Sequence, residues 1–254
     1  MKKIIIANWK MNPRTSREAK ILSRSISAET KNFKNCEVVI APPFIYMDLI
    51  SGVKLGAQDV FWEKSGPYTG EVSAGQLKFC GVKFVIVGHS ERRTLGETNE
   101  EINKKIKIIL ENGMRAVLCV GEREKEKDVA FPAIIQEELK EGLKNVKKNL
   151  LKNLIVVYEP VWAISTTKVQ GVIRSPRADN PKNVFEMSVL IRRELLKMFG
   201  KKIAFSIPIL YGGSVDEKNA ADFVSTGKVD GLLVGGASLN SKKFSTIIKR
   251  VSEI

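Results

Sequence analysis

The stretch NLIVVYEPVWAI (153–164) sets the terms for the fold. Its front half is apolar at every position from 154 to 157, and a carboxylate, Glu159, follows at once. A strand with one wet face alternates polar and apolar residues; a strand buried on both faces does not. The stretch therefore reads as a parallel strand covered on both sides, ending in an acidic residue.

Seven more runs share that character: IIIAN (4–8), EVVIAP (37–42), KLGAQD (54–59), KFVIVG (83–88), RAVLCVG (115–121), IPILYGG (207–213) and DGLLVGG (230–236). Between them lie segments of helical periodicity such as TSREAKILSRSI, NEEINKKIKIILENG, PKNVFEMSVLIRRELLKMFG and SKKFSTIIKRVSEI. Several open with a capping residue or proline and close near glycine. Strand and helix alternating eight times over 254 residues predicts a single (β/α)8 barrel domain spanning 1–254. A doubly wound open sheet is the competitor, but the first strand is followed by ANWKMN and not by a GxGxxG turn. The passage at about 165–180 has no clean periodicity and reads as an extended loop of the same domain.

Composition narrows the function. Hydrophobic residues at 43% and charged residues at 28% describe an ordinary globular chain. No apolar run approaches the ~18–20 residues that span a bilayer, and the start MKKIIIANWKMN lacks a secretory pattern. The expectation is a cytoplasmic protein with no membrane partner. Three widely spaced cysteines (Cys36, Cys80 and Cys119) offer neither a disulfide framework nor a zinc site. The net charge of +14 raises nucleic acid as a partner. The lysines instead sit at helical spacing opposite Leu, Ile and Val, as solvated helix faces do, and no aromatic-interleaved basic stripe accompanies them. No nucleic-acid partner is expected, and the positive field favours a small anionic substrate.

In such a barrel the chemistry stands where strands end. Strand 1 offers Asn8 and Lys10; strand 4 offers His89, Ser90 and Glu91; strand 6 offers Glu159. The last two strands end in the glycine pairs of YGGS (211–214) and VGGAS (234–238). His89 is the only histidine, and a lone histidine is more often a satisfied core residue than a functional one. Just before a short helix, however, it is placed to stay neutral and donate to a carbonyl oxygen. Glu159 is either a structural ion-pair partner or a general base. Lys10 is either a surface cation or a stabiliser of developing negative charge. The glycine pairs are tight turns, or they free backbone N–H groups to hold a phosphate. Together these groups suit proton transfer beside the carbonyl of a small phosphorylated sugar, a chemistry that requires no metal or organic cofactor.

The segments ANWKMN (7–12), GPYTGEVSA (66–74), VIVGHSERR (85–93), LGETNE (95–100), CVGE (119–122), YEPVWAI (158–164), YGGSV (211–215) and LVGGASL (233–239) resemble the triosephosphate isomerase family, in its order and over nearly the whole chain. The resemblance implies interconversion of dihydroxyacetone phosphate and D-glyceraldehyde 3-phosphate, a step of glycolysis and gluconeogenesis. Glu159 would shuttle the proton, neutral His89 would polarise the carbonyl, Lys10 would supply charge and Asn8 would line the site. Glu97 would pair with Lys10. The backbone amides of Ser165, Ser214, Gly235 and Gly236 would hold the phosphate. The loop at 58–74 would make a homodimer, with Thr69 reaching toward the neighbouring subunit's site.

The chain departs from the family at its lid, which typically reads AIGTGK and here reads AISTTK (163–168). Ser165 and Thr167 replace glycines, and residues 171–180 are additional, with Arg174, Pro176 and Arg177 among them. The expectation is an active isomerase with altered lid motion. The alternatives are a barrel that binds a phosphorylated metabolite without turnover, or an isomerase of a related sugar phosphate.

Overall fold

A computed structural model describes residues 2–125, 131–164, 168–169, 172–173 and 179–254. Eight parallel strands close into a barrel: β1 (Lys3–Asn8), β2 (Cys36–Ala41), β3 (Lys54–Ala57), β4 (Phe84–Val87), β5 (Arg115–Val120), β6 (Leu154–Tyr158), β7 (Ile209–Tyr211) and β8 (Gly231–Val234). Each strand pairs with its neighbours in sequence, and β1 closes the ring against β8 with Ile4 opposite Gly231 and Ala7 opposite Val234. The expected (β/α)8 barrel is therefore the fold.

The helices between the strands are α1 (Ser16–Thr30), α2 (Ala74–Phe79), α3 (Ser90–Thr94), α4 (Asn99–Glu111), α5 (Ala133–Gly142), α6 (Pro181–Phe199), α7 (Lys201–Ala204), α8 (Ala220–Ser225) and α9 (Ser241–Ser252). Local chemistry sets their starts. Thr15, Ser73 and Thr98 each accept the N–H of the residue three further on, and Glu18, Gln76 and Glu101 reach back to the cap backbone, forming three capping boxes. Pro181 opens α6 at a position whose N–H has no partner in a helix, and Gly200 ends it at φ +82°.

The strands divide the core in two. Ile4, Ile6, Phe84, Ile86, Val117, Cys119, Ile155, Val157, Leu210 and Leu233 belong to one apolar cluster inside the barrel. Their alternate neighbours, among them Ile5, Val85, Leu118, Val156 and Leu232, pack outward against the helices. Both faces of each strand are thus buried, which is why the runs carry no polar alternation. Alternation also decides the site: continuing the inward series Ile4, Ile6 reaches Asn8, and continuing Ile155, Val157 reaches Glu159.

Of the extended loop at about 165–180, two short antiparallel strands, Lys168–Val169 and Val172–Ile173, are described. Among the described residues no helix is long and apolar enough to cross a membrane.

Candidate active site

Asn8, Lys10, His89, Glu159, the YGGS turn and Gly235–Gly236 line one cleft at the C-terminal mouth of the barrel. Each is held by a local device. Lys10 takes φ +52°, a left-handed conformation that costs about 1–3 kcal/mol in a non-glycine residue. It persists because Asn8 Oδ1 accepts the Lys10 N–H at 3.0 Å and Gln58 Nε2 donates to the Lys10 carbonyl at 2.9 Å. Gly88, at φ +67°, turns the chain at the end of β4 and leads into His89, the N-cap of α3.

His89 Nδ1 accepts the Glu91 N–H at 3.2 Å. That bond places the ring proton on Nε2, which lies 3.0 Å from Glu159 Oε1. Burial pulls the His89 pKa down; the Glu159 carboxylate beside it outweighs burial and raises it above the ordinary value. For Glu159 the balance is reciprocal. Burial pushes its pKa up, and His89 together with the Ser90 backbone and hydroxyl bonds holds it below the ordinary value. Ser90 N–H donates to Oε2 at 3.0 Å and Ser90 Oγ donates to Oε1 at 2.9 Å. The carboxylate is therefore parked against the start of α3.

One sequence expectation changes here. Lys10 does not pair with Glu97; its Nζ lies 2.7 Å from Glu91 Oε1. Glu97 is buried beneath α3, where it pairs with Lys105 and faces Arg92 Nε at 3.9 Å, while Asp59 meets the same two cations at 2.7 and 2.9 Å. The physical reason is the tight turn of α3: a residue two positions past His89 comes back over the mouth, and one eight positions past it lies behind the helix. The Ser214 N–H donates to the Ala163 carbonyl at 3.0 Å, tying the YGGS turn to the segment after β6. Its hydroxyl is buried with no hydrogen-bond partner among the described residues.

Gly235 sits beside the cation, since a Cβ there would lie 3.5 Å from Lys10 Cε, and a Cβ at Gly236 would meet nothing within 4 Å. An anion at these amides would lie next to Lys10. Ser165 and Thr167 lie outside the described residues, as do Arg174, Pro176 and Arg177. Thr69 is exposed on the loop at 58–74, away from this chain's own cleft. That loop is braced internally by Phe61, whose ring lies 4.2 Å from Trp62 and 4.7 Å from Tyr68.

Behind the cleft, Glu122 is buried and accepts from Tyr158 Oη at 2.9 Å and Trp162 Nε1 at 2.7 Å, fixing the indole after β6. Sequence reasoning placed Ser90 and Glu91 at the strand end and gave them no role. The signal available was their position in the first turn of a helix capped by His89. Among the described residues no cluster of His, Cys, Asp or Glu is arranged to hold a metal ion.

The family model described as triosephosphate isomerase matches residues 3–251. The triosephosphate isomerase of Dictyoglomus thermophilum is 39% identical, with 98% of this chain and 99% of the relative covered. That of Chlorobium luteolum is 38% identical over 98% of each chain, and that of Fusobacterium nucleatum is 40% identical over 98% of this chain and 99% of the relative. With the barrel, the parked carboxylate and the glycine turns in place, the chain belongs to the triosephosphate isomerase family.

Proposed function

We propose that this protein interconverts dihydroxyacetone phosphate and D-glyceraldehyde 3-phosphate, with Glu159 as base and His89 as neutral electrophile. The convergence of Glu159, His89, Lys10 and Asn8 on one cleft bordered by two glycine turns carries the reading. Glu159 leaves Ser90 and takes a proton from the carbon beside the carbonyl. The C–H electron pair becomes the C=C bond of an enediolate, and the carbonyl oxygen takes the negative charge. His89 Nε2–H and Lys10 stabilise that charge; His89 gives its Nε2 proton to that oxygen and takes the proton of the adjacent hydroxyl, whose O–H electron pair becomes the new C=O bond as Glu159 returns its proton to the former carbonyl carbon.

The movement of Glu159 tunes both partners. Parked, it is a weak base, held below its ordinary pKa by His89 and Ser90 against burial. Released, it loses those bonds and becomes more basic. His89, relieved of the carboxylate, is left with burial and the Lys10 charge, which favour the neutral ring, against the smaller pull of the Glu91 carboxylate. The substrate phosphate is assigned to the amides of Gly235 and Gly236, and to Ser214 and Ser165 once the Ser214–Ala163 bond opens.

The reading includes a single barrel domain over 1–254, a glycolytic and gluconeogenic role, a cytoplasmic location, and a homodimer formed through the loop at 58–74 with Thr69 toward the partner. Exposed Phe44, Tyr68 and Phe79 support the dimer, since Phe79 is 94% exposed and borders, with Phe44, Glu71 and Val72, a cleft beside that loop. A coupled assay on glyceraldehyde phosphate tests the activity. Turnover by the wild type, lost in Glu159→Gln, is expected; no turnover above that variant overturns the reading.

A further inference from the structure

Beneath the floor of the cleft lies an ion pair that the proposed reaction does not use. Arg93, at the end of α3, and Glu138, on α5, stand 3.3 Å apart, and both are largely buried. Burying such a pair costs more than an apolar substitute of similar volume, so its presence calls for a reason besides stability. The reason lies in where its remaining hydrogen bonds go.

Arg93 Nε donates to the Gly88 carbonyl at 2.8 Å, which is the peptide that leads into His89. Its Nη1 donates to Asn99 Oδ1 at 2.7 Å, and its Nη2 reaches the Cys119 carbonyl at 3.4 Å. Gly88 is at φ +67°, and a Cβ there would lie 3.0 Å from Arg93 Nη2, so the guanidinium occupies the space that glycine leaves. Glu138 Oε2 accepts the Gly121 N–H at 2.9 Å. Gly121 in turn carries the backbone of the base: a Cβ there would fall 2.0 Å from the Glu159 carbonyl oxygen, and Glu159 N–H donates to the neighbouring Val120 carbonyl at 2.8 Å. One end of the pair thus grips the residue before His89, and the other grips the residue on which Glu159 rests.

We propose that Arg93 and Glu138 are positioning residues that together set the orientation of the His89 ring and the seat of Glu159, without touching substrate. The kinetic part of this proposal rests on the isomerase reading; the orientation of the ring does not. Burial pushes the Glu138 carboxyl up to about 7, against the pull of Arg93 and the Gly121 N–H, while Glu159 and Glu137 push it further up. Measurements at pH 8 therefore address the ionised pair.

The test compares the full-length protein with Arg93→Lys and Glu138→Gln. The second variant keeps volume and an acceptor oxygen for the Gly121 N–H while removing the charge, so it carries the test if the first does not fold. Because His89 is the only histidine, its imidazole nitrogens give one assignable set of NMR signals. The expected result is a kcat lower by about ten-fold or more with KM within about two-fold, together with moved His89 ring signals in the unliganded protein. Folded variants that keep the parent ring signals overturn the proposal, whatever their rate, and so do variants that keep the parent kcat. If the parent itself shows no turnover, the isomerase reading falls and the ring signals alone decide the positioning role.

Discussion

Ser90 holds Glu159 by two hydrogen bonds at once, one from its backbone N–H at 3.0 Å and one from its hydroxyl at 2.9 Å, and both end on the carboxylate that the proposed reaction needs as a base. A carboxylate held in this way is stabilised as the anion and must shed that stabilisation before it can attack a C–H bond.

Ser90→Ala removes the hydroxyl bond and leaves the backbone one. Since that bond lowers the Glu159 pKa, its loss raises it. A hydrogen bond to a charged group contributes about 1.5–3 kcal/mol, so the acid limb of kcat/KM is expected to move to higher pH by about one unit. A pH–rate profile of the variant checks this, and an acid limb that stays in place or moves to lower pH contradicts it.

Glu91 and Glu97 are expected to fail in opposite ways. Glu91→Gln weakens the ion pair with Lys10, whose partners are 18% and 51% exposed, so stability barely changes while KM rises. Glu97→Gln leaves Lys105 and Arg92 with one buried carboxylate in place of two. About 3–5 kcal/mol of stability is expected to be lost. Urea unfolding and steady-state kinetics on both variants separate these outcomes.

Glu138 makes stability fall with pH. Its carboxyl is raised from 4.5 to about 7 in the folded protein, so the native state holds the proton more tightly than the unfolded chain does. The stabilisation from this group is complete below about 4.5 and is lost as pH rises through about 7, a swing of about 3 kcal/mol. Glu138→Gln has no proton to lose there. Unfolding free energies of the two proteins at pH 5 and pH 8 should show the wild type losing ground to the variant at the higher pH.

Gly231→Ala attacks the closure of the barrel. An added Cβ would come 1.9 Å from the Ile4 carbonyl oxygen, in the register where β8 meets β1. Backbone there cannot yield as a flexible side chain could, and a loss of about 3 kcal/mol is expected, read as a lower thermal midpoint. Gly236→Ala, with open space at its Cβ, should leave that midpoint unchanged.

The barrel was legible because burial on both faces writes itself into a strand as an unbroken apolar run, and Ile155 and Val157 carry that run straight to Glu159. Asn8 and His89 were legible for the same reason, as residues at strand ends. The partner of Lys10 was not, because Glu91 and Glu97 both follow His89 and only the pitch of α3 decides which of them reaches the mouth. Nor could the sequence reveal that the Ser214 N–H is spent on Ala163, since that bond joins two loops far apart in the chain. The exchange of lid glycines for Ser165 and Thr167 was visible in the letters, yet those positions lie outside the described residues.

The seat of Glu159 also bears on timing. Gly121 presses against its carbonyl and Val120 holds its N–H, so the main chain at the base is clamped from both sides. Passage from the parked to the reactive arrangement is then a side-chain torsion on a stationary pivot. Rotamer changes take picoseconds to nanoseconds, whereas loops that close over a site move in microseconds or longer. In the proposed reaction the carboxylate would therefore reposition far faster than any loop closing over the site.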